Sequence, residues 1–173
     1  MSLTSASPSC TACSAYEGNS VAGSLSTNGL TGQSTCSCKS GGSATATGGF
    51  YGNGQTGASI ICNSCPPGSY QPAFSGNPAS SSCTCIQNYY NADPALPGKA
   101  TVSKPCSPCP AGSTSIDASG NVVTGASSCT CQKGGSATTP GGFYSNGQPT
   151  ASMVCKACPA NSYQPVAGAA TCV

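Results

Sequence analysis

The residues with an organised chemical potential are the cysteines, fifteen in 173 positions. They alternate strictly: CxxC at Cys10/Cys13, CxC at Cys36/Cys38, CxxC at Cys62/Cys65, CxC at Cys83/Cys85, CxxC at Cys106/Cys109, CxC at Cys129/Cys131, CxxC at Cys155/Cys158, and a last cysteine at Cys172. Thiols so spaced can form structural disulfides, hold a metal as thiolates, or cycle electrons through CxxC dithiols. CxxC followed by CxC resembles a four-thiolate zinc knuckle, and CxC is also a metallothionein device. Against metal, the thiols are far sparser than in a metallothionein, and nothing basic flanks them to depress their pKa. Against redox catalysis, no βαβ pattern surrounds the CxxC copies. Structural disulfides account for the even rhythm without requiring any other chemistry.

Geometry narrows the pairing. A bond inside CxC closes a strained ring, because bonded cysteines need Cα atoms about 4.4–6.8 Å apart with suitable Cβ directions. The simplest unstrained scheme joins each cysteine to the next motif: Cys13–Cys36, Cys38–Cys62, Cys65–Cys83, Cys85–Cys106, Cys109–Cys129, Cys131–Cys155 and Cys158–Cys172. Cys10 is left unpaired or intermolecular. Each bond closes a loop of roughly 15–25 residues, worth about 3 kcal/mol in the chain-entropy account.

The rest of the composition removes most functions. There is no His and no Arg; the cations are Lys39, Lys99, Lys104, Lys133 and Lys156, and the side-chain carboxylates are Glu17, Asp93 and Asp117. General acid–base catalysis needs a group tunable toward working pH, so no catalytic residue and no cofactor is expected. Scattered lysines do not make the clustered cationic track of a nucleic-acid binder. No stretch approaches a membrane span, and the first residues lack the apolar run of a signal peptide. A secreted chain is therefore expected to have lost its targeting segment already. No ordinary N-glycosylation sequon is present, since Asn77 precedes Pro and Asn63 heads only an N-S-C variant. O-linked glycans on the abundant Ser and Thr are the expected sugar.

Something must position those cysteines, and it is not a conventional core. Leu, Ile, Val and Phe supply about a tenth of the chain, below the one-fifth level at which a chain ordinarily builds one. Ordering the backbone costs about 1–2 kcal/mol per residue. A net charge of +2 also excludes charge-driven disorder. Residues 41–72 match residues 134–165 at 21 of 32 positions with a constant offset of 93, the mark of a repeat architecture. The expected fold is a small disulfide-rich repeat protein, elongated, mostly loops with short β-hairpins and little or no helix. Its expected units are a tail (1–9), three cysteine-rich modules (10–61, 62–105, 106–154) and a partial fourth (155–173). Two kinds of connector alternate, Gly-rich at 39–61 and 132–154, Tyr- and Pro-bearing at 86–105. Strands are expected to run into a cysteine at 58–62, 100–106 and 151–155. Tight hairpin turns are expected at Asn53-Gly54 and Asn146-Gly147. Tyr70, Tyr163, Phe50, Phe143, Tyr51 and Tyr144 are each expected to cover a disulfide.

The phrases CPPGSYQP…SSCTC (65–85), CPAGSTS…SSCTC (109–131) and CPANSYQP…ATC (158–172) resemble the cysteine-rich repeats of ciliate surface immobilisation antigens. They are similar also to ephrin-receptor-like modules that share a CPxGxY…SC signature. The first resemblance implies an extracellular surface coat, lipid-anchored through a longer precursor. The expected role is a non-catalytic extracellular structural protein, a coat or filament subunit that joins copies of itself head to tail near Cys10, where the ladder has an odd cysteine and the final CxC lacks its second. A recognition module using loops such as 86–105 and a thiolate metal-binding protein are the alternatives.

Overall fold

The computed structural model describes residues 25–27, 36–55, 60–73, 80–117 and 119–173. Their secondary structure is a series of very short strands: β1 (Leu25–Thr27), β2 (Cys36–Cys38), β3 (Phe50–Gly52), β4 (Cys62–Ser64), β5 (Ser69–Tyr70), β6 (Cys83–Cys85), β7 (Tyr89–Tyr90), β8 (Lys99–Ala100), β9 (Ser107–Pro108), β10 (Ser113–Thr114), β11 (Thr130–Cys131), β12 (Phe143–Ser145) and β13 (Cys155–Ala157). One 3-10 turn, Thr150–Ser152, is the only helical element among the described residues. Gly and Pro interrupt every stretch long enough for more. All strand pairs are antiparallel; β5–β6–β8 has three strands and the other ribbons have two.

One unit recurs three times in full among the described residues. An aromatic strand pairs with the CxxC strand (β3–β4, β7–β9, β12–β13). A turn follows the CxxC, and Ser69, Ser113 and Ser162 N–H donate to the carbonyls of Pro66, Pro110 and Pro159 at 3.2, 3.0 and 3.2 Å. Its third residue has positive φ at Gly68 (77°), Gly112 (77°) and Asn161 (63°), as a type II turn requires. The next residues return against the CxC: Tyr70 pairs with Thr84 and Thr114 with Thr130, and Tyr163 and Val173 exchange two backbone hydrogen bonds.

This register shows what the two connector types share. The N–H groups of Cys65, Cys109 and Cys158 donate to Gly49, Asn88 and Gly142, and all three acceptors hold positive φ. Asn88-Tyr89-Tyr90 is therefore the counterpart of Gly49-Phe50-Tyr51 and Gly142-Phe143-Tyr144. The connectors differ in two places: a glycine-framed finger at 41–48 and 134–141, for which the chain between Gln87 and Asn88 has no equivalent, and the loop after the aromatic strand, which is five residues longer before Cys106 than before Cys62 or Cys155 and carries β8. Each finger returns on itself at its tip, Ser43 with Ala46 and Ser136 with Thr139, and lies against the following hairpin through Gly41↔Gln71 and Gly134↔Gln164.

Two local expectations also change. Strands start at or just beyond the cysteine: β4 opens at Cys62, and the 151–155 stretch begins in the 3-10 turn. The Asn-Gly dipeptides do not close two-residue hairpins. The Asn53 carboxamide oxygen accepts the N–H of Gln55 at 3.2 Å and of Ile61 at 3.1 Å, and Asn146 does the same for Gln148 at 3.3 Å and Val154 at 3.1 Å. A side chain thus spans a wider loop and returns it to the CxxC strand.

Burial is distributed over small clusters built on disulfides. Ile60 and Cys62 meet Phe50 and Cys38; Tyr51 meets Cys65 and Cys83; Tyr89 meets Cys85, Ala100 and Cys106; Phe143 and Tyr90 meet Cys129, Cys131 and Met153. Phe50, Tyr51 and Phe143 thus cover disulfides as expected. Tyr70 and Tyr163 instead set their Cβ atoms against the finger glycines Gly42 and Gly135.

Candidate functional site

The repeat brings the cysteines together as Cys38–Cys62, Cys65–Cys83, Cys85–Cys106, Cys109–Cys129, Cys131–Cys155 and Cys158–Cys172, with Cα atoms 5.6–5.9 Å apart. Cys10 and the Cys13–Cys36 pairing lie outside the described residues. The bonds alternate in purpose. Cys65–Cys83, Cys109–Cys129 and Cys158–Cys172 close the turn hairpin within a unit, while the other three tie a CxC strand to the next CxxC strand. Sulfurs committed to these bonds offer no thiolate to a metal, so these cysteines do not form the thiolate site of the metal-binding alternative.

Units also dock directly. A side chain at Gly68 would meet the ring of Tyr89 in the next unit, and one at Gly112 would meet Phe143. In the reverse direction Gly125 N–H reaches back to the Cys85 carbonyl at 2.8 Å and Gly168 to that of Cys131 at 3.0 Å. Each unit is clasped from both sides. The same contact is made twice, which the 93-residue offset alone does not reveal.

The loops expected to serve recognition, 86–105, combine exposed residues with structural ones. Ala100 is buried in the three-stranded sheet, and buried Asn91 donates to the carbonyls of Lys99 (2.7 Å) and Lys104 (3.3 Å). Lys104 and Asp93 form an ion pair at 2.5 Å. That partner, with the N–H of Ala95, holds the Asp93 carboxyl below the ordinary aspartate value.

The surface feature with the shape of a binding site lies elsewhere. A groove of about 760 Å³ opens over β10 and β11. Thr114 and Thr130 are cross-strand partners in it, Ile116 and Val122 form one wall, and Pro165–Ala167 form the other. Asn88 and Lys133 stand on the side of the connectors, and Asp117 on that of the 116–122 loop. Asp117 closes its own loop by accepting the N–H of Asn121 (3.0 Å) and Ser119 (2.9 Å), which lowers its pKa. Hydroxyls, carboxamides, one charge of each sign and exposed valines line it. Sequence reasoning missed this site because its walls come from two successive units and lie far apart in the chain.

No protein-family model, no curated protein and no solved structure matches the chain. What the fold itself defines is a disulfide-stabilised, loop-rich repeat protein with bonds of the kind that persist in oxidising, extracellular surroundings. No helix among the described residues is long and apolar enough to cross a membrane.

Proposed function

We infer that the chain is a non-catalytic structural protein of an extracellular coat or filament, of the kind its resemblance to ciliate surface immobilisation antigens implies. The observation that carries the reading is the clasp between successive units: a disulfide, a glycine–aromatic stack and a return hydrogen bond, made at Cys85 and again at Cys131. Such a chain depends on nearest neighbours, and stability accumulates unit by unit. The widest reach among the hydrogen bonds described is 51 residues, from Val102 N–H to the Tyr51 hydroxyl, which suits a rod better than a sphere. Covalent cross-links at every unit resist unfolding and proteolysis, the properties a coat requires.

The finer form of this reading is head-to-tail self-association through Cys10, with O-linked sugar on the exposed Ser/Thr tips and a lipid anchor in a longer precursor. A heterologous contact that does not close yields an open filament. Negative-stain imaging of native material, with electrophoresis before and after reduction, tests it. Filaments or a regular layer, with reducible oligomers lost on Cys10→Ser, are expected. Monodisperse monomers bearing a titratable Cys10 thiol would overturn the self-association.

A further inference from the structure

The two Asn-Gly steps share one loop design and differ at one hydroxyl. Both read Asn-Gly-Gln, at 53–55 and 146–148, and all six residues are exposed. Both glycines hold positive φ, 80° at Gly54 and 74° at Gly147, and a Cβ at either would meet nothing within 4 Å. In each loop the asparagine Oδ1 accepts two N–H groups: those of Gln55 and Ile61 for Asn53, at 3.2 and 3.1 Å, and those of Gln148 and Val154 for Asn146, at 3.3 and 3.1 Å. The loops part at the residue before the asparagine. The hydroxyl of buried Ser145 accepts the Gly147 N–H at 3.0 Å. Its counterpart, Gly52, has no hydroxyl to offer Gly54.

The geometry points to Asn53-Gly54 as a site of self-modification, where the Asn53 carboxamide becomes a carboxylate, and to Asn146-Gly147 as its protected counterpart. An asparagine carboxamide is open to attack at Cγ by the main-chain nitrogen of the residue that follows, and glycine, with no Cβ, leaves that nitrogen the freest approach. The Gly54 nitrogen bonds to Asn53 Cγ, the Cγ–Nδ2 bond breaks, and the Gly54 proton passes by way of water to Nδ2, which leaves as ammonia. Water then opens the five-membered imide at either carbonyl, giving aspartate or isoaspartate. The negative charge that builds on Oδ1 during the attack falls where two N–H groups already point, the arrangement that stabilises an oxyanion. Asn146 has the same pair of donors, but there the hydrogen bond to Ser145 favours the protonated Gly147 nitrogen and must break before that nitrogen attacks. Aspartate at 53 keeps both N–H contacts and strengthens them by its charge, so the loop survives while the net charge of +2 drops by one unit. Isoaspartate adds a main-chain methylene and loosens the return to Cys62. This chemistry does not rest on the coat reading.

The test uses the full, oxidised chain incubated in mildly alkaline heavy-oxygen water, with peptide mass mapping and isoaspartate quantified at both sites over time. Asn53 is expected to react about tenfold faster than Asn146, the effect of one hydrogen bond that must be lost on the way to the transition state. Ser145→Ala should bring Asn146 up to the rate of Asn53 and leave Asn53 unaltered. After reduction and alkylation the two Asn-Gly-Gln steps should react at equal rates, because the hydroxyl contact belongs to the fold. Should Ser145→Ala disturb the fold, the contrast between oxidised and reduced chain decides alone. Equal rates in the oxidised chain, a faster Asn146, a difference that persists after reduction, or a folded Ser145→Ala chain in which Asn146 stays slow overturns the proposal. So does an oxidised chain in which neither site reacts within the time that both react when reduced.

Discussion

A side chain at Gly68 would occupy the space taken by the ring of Tyr89. The turn glycine of one unit and the aromatic of the next thus touch with nothing between them. Gly54 provides the control: it has nearly the same φ, 80° against 77°, and open space around it. Gly54→Ala should cost about 1–2 kcal/mol for the left-handed backbone alone. Gly68→Ala should cost a further 1–3 kcal/mol or so for overpacking, and Gly112→Ala the same against Phe143. Urea midpoints measure the difference; equal losses at Gly54 and Gly68 would remove the stack from the account of stability.

Tyr51 joins the first full unit to the 101–104 turn. Its ring packs with Cys65 and Cys83, and its hydroxyl accepts the N–H of Val102 at 3.0 Å. Tyr51→Phe keeps the ring and removes the acceptor, so a loss near 1 kcal/mol is expected. The change should be local: faster amide exchange at Val102, with the Cys65–Cys83 hairpin unaltered. A global loss of protection would mean that the hydroxyl does more than pin the turn.

The pH profile should be flat where most proteins slope. The chain has no His, so no side chain has its ordinary pKa in the range of about 5 to 8. Asp93 is held below the usual value first by the Lys104 ammonium, and Asp117 first by the N–H of Asn121. A carboxyl with a lowered folded pKa stabilises the fold above its unfolded value and loses that contribution as pH falls through the folded one. Stability should hold through neutrality and decline only below about pH 4. Both groups lie at the surface, so the decline should be shallow, and at Asp93 salt should reduce it. Asp117→Asn should flatten the acid limb at a cost at pH 7; a steep loss between pH 5 and 7 would contradict the assignment.

How much of this was legible in the sequence divides along the cysteines. Their alternation carried the pairing of every described bond, because CxC cannot bond to itself and each neighbour motif lies within one loop. Phe50, Tyr51 and Phe143 were legible as partners of sulfur for want of other apolar surface. The unity of the connectors was not, because Asn88 takes the left-handed conformation that Gly49 and Gly142 take, and a missing finger changes the length between equivalent residues. The groove was hidden because its two walls, Ile116 with Val122 and Pro165 with Val166, are far apart in the chain. The loops after the aromatic strands were misjudged because an Asn side chain can span a wide loop as well as start a tight turn.

Reduction should proceed in an order set by access. Thiolate exchange requires a reductant to reach a sulfur, and the six described bonds differ sharply in exposure. In Cys65–Cys83 and Cys85–Cys106 both cysteines are buried, Cys83 and Cys85 completely. In Cys38–Cys62, Cys109–Cys129 and Cys131–Cys155 one partner is buried and the other half-buried, whereas in Cys158–Cys172 both are half-buried. Mild reductant followed by alkylation and peptide mass mapping should therefore label Cys158 and Cys172 first, leaving the other units oxidised and protease-resistant. Opening that bond frees the return segment, so the hydrogen bond from Gly168 to Cys131 and the pairing of Tyr163 with Val173 should lose exchange protection together. The bonds at Cys65–Cys83 and Cys85–Cys106 should yield last. Removing either by paired Cys→Ala substitution should cost about 2–5 kcal/mol, more than any other change considered above except Gly68→Ala and Gly112→Ala, because each anchors a cluster with no other large apolar group than one tyrosine. Early labelling of Cys83 or Cys85 would show that the chain opens as one unit, and would replace the picture of successive clasps with a single cooperative fold.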